Sequence, residues 1–181
     1  MTPEKKDKTI QTEHFTLRPF QKGDEATLQK NINNPDVAKT LTRVPFPYTE
    51  KHAKEWVARV TNPELKNEIH FIFDFGKGVE GAISLDHLNQ KDRSAELGYW
   101  LAQPRWGNGH MTEAAKAITT YAFTNLNLIR IYAYTFLNNP ASSRVLEKAG
   151  FKKEGILRKA IGKEGKHLDA NLYALINPEF E

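Results

Sequence analysis

Gly107 and Gly109 stand two residues apart in the run Arg105-Trp106-Gly107-Asn108-Gly109-His110-Met111-Thr112, between an apolar stretch and a segment with helical spacing. Glycine lets backbone amides turn inward without interference from a Cβ, and a helix start adds about half a positive charge. Together these features suit phosphate or pyrophosphate. A bare Gly-x-Gly also serves an ordinary strand-to-helix turn. Two nucleotide signatures are excluded, because the dinucleotide fingerprint needs a third glycine where Thr112 stands and a phosphate loop needs Gly-Lys-Ser/Thr. The chain has no cysteine, which removes disulfides, thiolate metal sites and any mechanism in which an enzyme thiol carries an acyl group. Its six histidines, His14, His52, His70, His87, His110 and His167, show no metal-ligand spacing, so no metal is expected.

The elements that must position this turn follow from periodicity. Ala95–Leu101 reads as a strand entering the turn, and Thr112–Phe123 as the helix leaving it, with Ala114, Ala117, Ile118 and Tyr121 on one stripe. Ile129–Thr135 is a further strand. Asn139–Gly150 is punctuated as a helix: Asn139 can cap, Pro140 takes the first position, Val145, Leu146 and Ala149 form the stripe, and Gly150 closes it. Ser142 is then a first-turn hydroxyl three residues after the cap. Upstream, Phe15–Arg18 reads as a short strand. Asp24 and Thr49 read as caps of helices reaching about Asn33 and Val60, and the proline-bearing Asn33–Pro47 as an irregular connection. Ile69–Phe75 and Val79–Leu85 read as a hairpin around Gly76–Gly78, leaving Leu85–Ser94 as a loop; Phe151–Leu157 and Leu168–Ile176 close the chain as strands. The order implies one α+β domain.

At 181 residues, 39% hydrophobic and 27% charged, the chain is long enough for one sizeable core and is composed like a globular protein. No run approaches the ~18 apolar residues of a membrane span, so no membrane partner is expected. Residues 1–11 are polar and read as a flexible tail rather than a secretory signal, with the domain over 12–181. Lack of cysteine is compatible with a cytoplasmic protein. The net charge of +4 favours anionic partners, but Lys and Arg are dispersed, which fits a small polyphosphate ligand and gives no sign of nucleic-acid binding.

The segment Trp106-Gly107-Asn108-Gly109-His110-Met111-Thr112-Glu113-Ala114 resembles the acetyl-CoA motif of the GNAT superfamily of N-acetyltransferases, Gln/Arg-x-x-Gly-x-Gly/Ala. It is closer still to the ribosomal-protein N-terminal (Rim-type) branch, with its Trp-Gly-x-Gly-x-Ala-Thr-Glu-Ala form. Downstream, Asn139-Pro140-Ala141-Ser142 and Lys148-Ala149-Gly150-Phe151 match that branch's Asn-x-x-Ser and Lys-x-Gly-Phe. Similarity is clear over Ala95–Leu157 and looser at both ends. Met111 stands where Gly or Ala is usual, which would crowd or reshape the turn, and Trp106 replaces the wider superfamily's Gln/Arg.

The resemblance implies a single GNAT-like domain whose mixed, mostly antiparallel central sheet is splayed at the acetyl-CoA cleft and flanked by helices. It implies acetyl-CoA as co-substrate and direct transfer of acetyl to a primary amine on a peptide, such as a protein N-terminus, or on a small molecule such as a polyamine or aminoglycoside. A non-catalytic acyl-CoA-binding module is the alternative. Homodimers are common in the family. Residue by residue, it implies cofactor contacts at Tyr99, Leu101, Ala102, Trp106, Gly107, Asn108, Gly109, His110, Met111, Thr112 and Asn139, with a backbone amide near Tyr99–Leu101 facing the oxyanion. Many superfamily members use a Tyr where this chain has Leu146, which leaves Ser142 as the group that protonates or solvates the departing sulfur. Glu96, one residue before the apolar run, is the carboxylate placed to take the amine's proton or to bind a cationic acceptor. Tyr173 matches a Tyr common in the branch. The Asn33–Pro47 connection, the early helices and the Leu85–Ser94 loop are expected to select the acceptor.

Overall fold

In the protein's computed structural model, which describes residues 9–180, eight strands pair into one open sheet. The strands are β1 (Ile10–Gln11), β2 (Thr16–Pro19), β3 (Ile69–Asp74), β4 (Val79–Asn89), β5 (Ser94–Leu101), β6 (Arg130–Phe136), β7 (Lys152–Lys163) and β8 (Lys166–Ile176). Their spatial order is β1-β2-β3-β4-β5-β6-β8-β7. Every pairing is antiparallel except β5 with β6, which is parallel. The helices are α1 (Glu25–Ile32), α2 (Pro35–Ala38), α3 (Glu50–Val60), α4 (His110–Asn125) and α5 (Pro140–Lys148). Among the described residues, no helix is long and apolar enough to cross a membrane.

Strand alternation sorts the side chains onto two faces. Ala95, Leu97 and Leu101 of β5 pack with Ala114, Ala115 and Ile118 of α4 and Leu146 of α5 in the larger core. Trp100 of β5 packs instead with Leu28 of α1, Val57 of α3 and Ala82 of β4 in a second core on the opposite face. The sheet is therefore a wall between an α4–α5 layer and an α1–α3 layer.

That wall has a gap. β5 and β6 pair only at Ser94–Arg130, Ala95–Ile131 and Glu96–Tyr132. Beyond Glu96, β5 stays with β4 as far as Leu101–Gly81, while β6 stays with β8 as far as Phe136–Ala170. Each strand follows its antiparallel neighbour, and the two part.

Several expectations are revised in detail. The Asn33–Pro47 connection holds the short helix α2, because Pro35 sits at its first position and the Asn34 side chain accepts from the amides of Asp36 and Val37. Asp24 precedes α1 but makes no side-chain cap; Arg18 takes both of its oxygens, at 2.8 and 2.9 Å, since a guanidinium fork outcompetes a cap amide. Thr49 does cap α3, in a reciprocal box with His52. The region read as the Leu85–Ser94 loop is strand to Asn89, with an irregularity between Asp86 and Asn89. Of the expected tail over residues 1–11, residues 1–8 lie outside the described residues, and Ile10–Gln11 form β1.

The two sheet halves are tied together again at the open end. Lys163, at the tip of the β7–β8 hairpin, donates from Nζ to the carbonyl oxygens of Ala38 (3.0 Å), Lys39 (2.7 Å) and Leu41 (2.8 Å), at the end of α2 and just beyond it. The last carbonyls of a helix have no partner within it, and a cation suits that end. Lys163→Met should destabilise the protein by about 1–2 kcal/mol in urea unfolding, and amide exchange at residues 37–42 should speed up more than in the β6–β8 ladder. Unchanged exchange there would show that the bonds do not hold the segment.

Candidate functional site

A single cavity of about 1220 Å³ runs along the gap. That exceeds the few hundred to ~1,000 Å³ usual for one small ligand, which leaves room for an elongated molecule and a second reactant. At one end its wall is the turn before α4, with Trp106, Gly107, Gly109, His110, Met111 and Thr112. The parted strands follow, with Glu96–Leu101 on one side and Tyr134–Phe136, Asn139 and Ser142 on the other. The far end is built by Lys39–Pro45, Tyr48 and Trp56 with His70, Ser84 and Asp86.

The turn owes its shape to its glycines. Gly107 (φ 79°) and Gly109 (φ 81°) are both left-handed, a region that costs other residues energy, and a Cβ built on either meets nothing within 4 Å. The space beside them is thus free for a ligand, and Gly109 sits directly before the first turn of α4, whose amides have no partners within the helix. Neighbouring side chains brace the backbone. Asn108 donates to the carbonyls of Arg105 (3.3 Å) and Trp106 (3.0 Å), and Trp106 Nε1 donates to Leu101 O at 2.7 Å. Arg105 forks onto Glu80 at 2.8 and 2.9 Å and lies 3.9 Å over the Phe75 ring. Asn108 and the buried Ala102 lie outside the cavity wall, and Ala102 N donates to Glu80 O at 2.8 Å.

Met111 belongs to the larger core and is 8% exposed, so its bulk is absorbed beneath the helix start. The His110 ring stands 5.0 Å from Phe75, 5.5 Å from His14 and 5.7 Å from Phe15, and its Nδ1 is buried without a partner. Burial, together with the neighbouring His14 and Arg105 and against Glu113, lowers its pKa below 6.5. The ring is neutral near pH 7.

At the start of α5, Asn139 Oδ1 accepts from Ser142 N at 3.2 Å. Ser142 Oγ lies 2.7 Å from the hydroxyl of Tyr99, whose own pKa burial pushes up to about 12. Tyr173 is in the larger core, and its hydroxyl donates to Glu147 Oε1 at 3.0 Å.

Glu96 and Tyr99 fall on opposite faces of β5. Glu96 lies beside Asp86 of β4 in the strand register, on the α1–α3 face, with His87 Nε2 at 3.8 Å. Burial raises its pKa above 4.5; His87 and Arg43 pull it down and Asp86 adds to the rise. Close by, His70 Nε2 bonds Glu68 Oε2 at 2.8 Å, Arg59 bonds the same oxygen at 2.8 Å, and Ser84 Oγ donates to Asp86 Oδ2 at 3.0 Å. Asp86 Oδ1 is buried without a hydrogen-bond donor, with His70 Nε2 3.7 Å away. Among the described residues, Glu68–His70–Asp86 and His14–His110–Glu113 each bring three ligand-type atoms within 4.8 Å. Each cluster already contains a 2.8 Å His–Glu bond. Strand pairing and helix docking assemble both groups, which no linear spacing announces.

Residues 14–152 match a family model described as an acetyltransferase (GNAT) domain. The uncharacterized N-acetyltransferase p20 of Bacillus licheniformis is 30% identical over 95% of this chain and 98% of its own length. The ribosomal-protein-serine acetyltransferase of Escherichia coli (strain K12) is 32% identical over 53% of this chain and 54% of its own. The structure of spermidine N-acetyltransferase from Vibrio cholerae, in complex with CoA and spermine, superposes with a TM-score of 0.76 at 25% identity, covering 90% of this chain and 95% of that one.

The glycine geometry yields a direct test. Gly109→Val forces a β-branched residue into the left-handed region at a strain of about 1–3 kcal/mol, relieved by moving the amides. Calorimetric acetyl-CoA affinity should fall at least ~5–100-fold while the circular dichroism spectrum stays native. A folded variant with wild-type affinity would take the ligand away from this turn.

Proposed function

Since the chain belongs to the GNAT acetyltransferase family, with more than three quarters of its length matched by the domain, we propose that it transfers acetyl from acetyl-CoA to a primary amine, as on a peptide N-terminus. The observation that carries this reading is the gap between β5 and β6. It connects a face bearing an anion-suited turn and a hydroxyl pair with a face bearing carboxylates.

In this reading the turn at Gly107–Thr112 holds the pyrophosphate, and Asn139 and the unpaired edge of β5 hold the pantetheine arm. Acetyl-CoA supplies an activated thioester carbonyl. Glu96 works on the other face. An aliphatic amine arrives mostly as ammonium near pH 7, and it must lose a proton before its nitrogen can attack. Glu96 takes that proton, directly or through a water. The nitrogen–carbon bond then forms, a backbone amide near Tyr99–Leu101 donates to the oxyanion, and the carbon–sulfur bond breaks with its electron pair on sulfur, while the nitrogen, cationic once bonded to carbon, releases its second proton to water. Ser142 donates a hydrogen bond to that sulfur.

The acceptor end supports a cationic substrate. Asp86 and Glu96 sit side by side and both line the cavity, so a cation arriving there meets two carboxylates. The same observation favours a polyamine as the second reading, and the spermidine acetyltransferase relative is in keeping with it.

A thiol-release screen with acetyl-CoA over peptide N-termini, polyamines and aminoglycosides tests the proposal; turnover with alcohols or thiols alone would end it. With the amine so found, log(kcat/KM) should rise with pH until the amine or Glu96 has titrated, and then level off. Because the Glu96 pKa is raised, its limb should lie above the ordinary carboxylate range near 4.5. Glu96→Gln should lower the plateau by ~10²–10⁴-fold and leave acetyl-CoA binding intact. A variant with the wild-type profile would reduce Glu96 to a wall residue.

A further inference from the structure

The bond between Tyr99 and Ser142 joins residues 43 positions apart, one on β5 and one in the first turn of α5, across the open gap. Resemblance assigned Tyr99 a role through its backbone; its side chain has a partner of its own. The serine is held from two directions, since its N–H donates to Asn139 Oδ1 at 3.2 Å and its Oγ meets the phenol at 2.7 Å.

The question is which hydroxyl donates. Each has one proton. If Ser142 donates to Tyr99, its proton points into the protein and none remains for a ligand in the cleft. The phenol would then donate to Ser142 O, at 3.3 Å, outside the usual 2.5–3.0 Å for O–H···O, or into the cavity that Tyr99 also lines. If Tyr99 donates to Ser142 Oγ, its proton makes the 2.7 Å bond, and the serine proton is left to turn toward the cleft. Only the second arrangement gives the single phenolic proton a protein partner at normal length and leaves Ser142, read above as the donor to sulfur, with its own proton for the cavity it lines.

We propose that Tyr99 is a positioning residue whose phenolic O–H donates to Ser142 Oγ and so directs the serine's own proton toward the departing sulfur. The proposal rests on the reading of Ser142 given above. Accepting one hydrogen bond polarises a hydroxyl and makes it a stronger donor in the next, so Tyr99 both aims and strengthens the bond.

The phenol keeps its proton throughout. A thiolate whose conjugate acid has a pKa of about 8.5 is too weak a base to take a proton from a phenol near 12. Sulfur therefore leaves with the electron pair of the broken carbon–sulfur bond, is stabilised by the serine hydrogen bond, and acquires its proton from solvent after release. Nothing is consumed at Tyr99 or Ser142, and neither has to be restored between turnovers.

The test is a cycle of Tyr99→Phe, Ser142→Ala and the double variant, read as single-turnover rates with the amine acceptor from the screen, alongside acetyl-CoA affinity. Each single variant should slow the chemical step by about tenfold or more, with affinity within about twofold. The double variant should be no slower than Ser142→Ala alone, because Tyr99 acts through the serine. Multiplicative losses, or a wild-type rate for Tyr99→Phe beside a slow Ser142→Ala, would overturn the proposal and leave the role of Ser142 standing. A wild-type rate for Ser142→Ala would overturn that role and the proposal with it. Replacement of Tyr99 by 3,5-difluorotyrosine keeps the ring and covers the case in which Tyr99→Phe does not fold. A more acidic phenol donates more strongly, so the rate should rise with Ser142 present and stay unchanged in Ser142→Ala. A rate indifferent to fluorination in both backgrounds would also overturn it.

Discussion

The cavity of this protein depends on three residue pairs, those that join β5 to β6 before the strands part. A parallel pair flanked by two long antiparallel ladders is the place where the sheet can open at least cost, because parallel pairing is slightly weaker per residue and each strand keeps its other neighbour. The opening spares the two cores on either side. It also exposes strand edges inside the molecule, where they are shielded from pairing with other chains, a hazard that edges on the outside must meet with charge or short length.

From this geometry follows a separation of charge. On the α4–α5 face the helix starts, the glycine turn and the hydroxyls of Tyr99 and Ser142 can all present hydrogen-bond donors. On the α1–α3 face Glu96, Asp86 and Glu68 present acceptors, with His70, Arg59 and Arg43 around them. His110, the one titratable side chain in the turn, is kept neutral by burial among aromatic rings. A reaction that removes a proton from one partner and stabilises negative charge on the other is served by such a division, since each group works in its own environment and does not neutralise the other.

Much of this was legible in the chain, and the reasons are local. The glycine turn, the Asn139–Pro140 helix start and the amphipathic stripe of α4 are encoded within a few residues, and two motif blocks in order identified the family. The boundaries of β4 and β7 were not legible. Three of the four residues of Asp86–Asn89 are polar and the segment reads as a loop, yet it continues the ladder opposite Glu96 and Ser94. β7 is the last strand of the sheet and mostly exposed, so its lysines and glycines show no alternation, and its pairing with β8 carries it to Lys163. The Glu68–His70–Asp86 cluster, the Tyr99–Ser142 bond and the Arg18–Asp24 fork all depend on register between distant segments. Their signal exists only once the sheet has formed.

The anchor from Lys163 has a consequence for how such a protein can diverge. The lysine grips main-chain carbonyls of Ala38, Lys39 and Leu41, and no side chain of that segment takes part in those bonds. The following residues, through Pro45, wall the end of the cavity where the acceptor is proposed to enter. A fastening that reads only the backbone is indifferent to what the neighbouring residues carry. The wall can therefore drift in size, charge and shape through successive generations without losing its attachment, so that new preferences for an acceptor can arise there while the rest of the catalytic architecture is inherited unchanged.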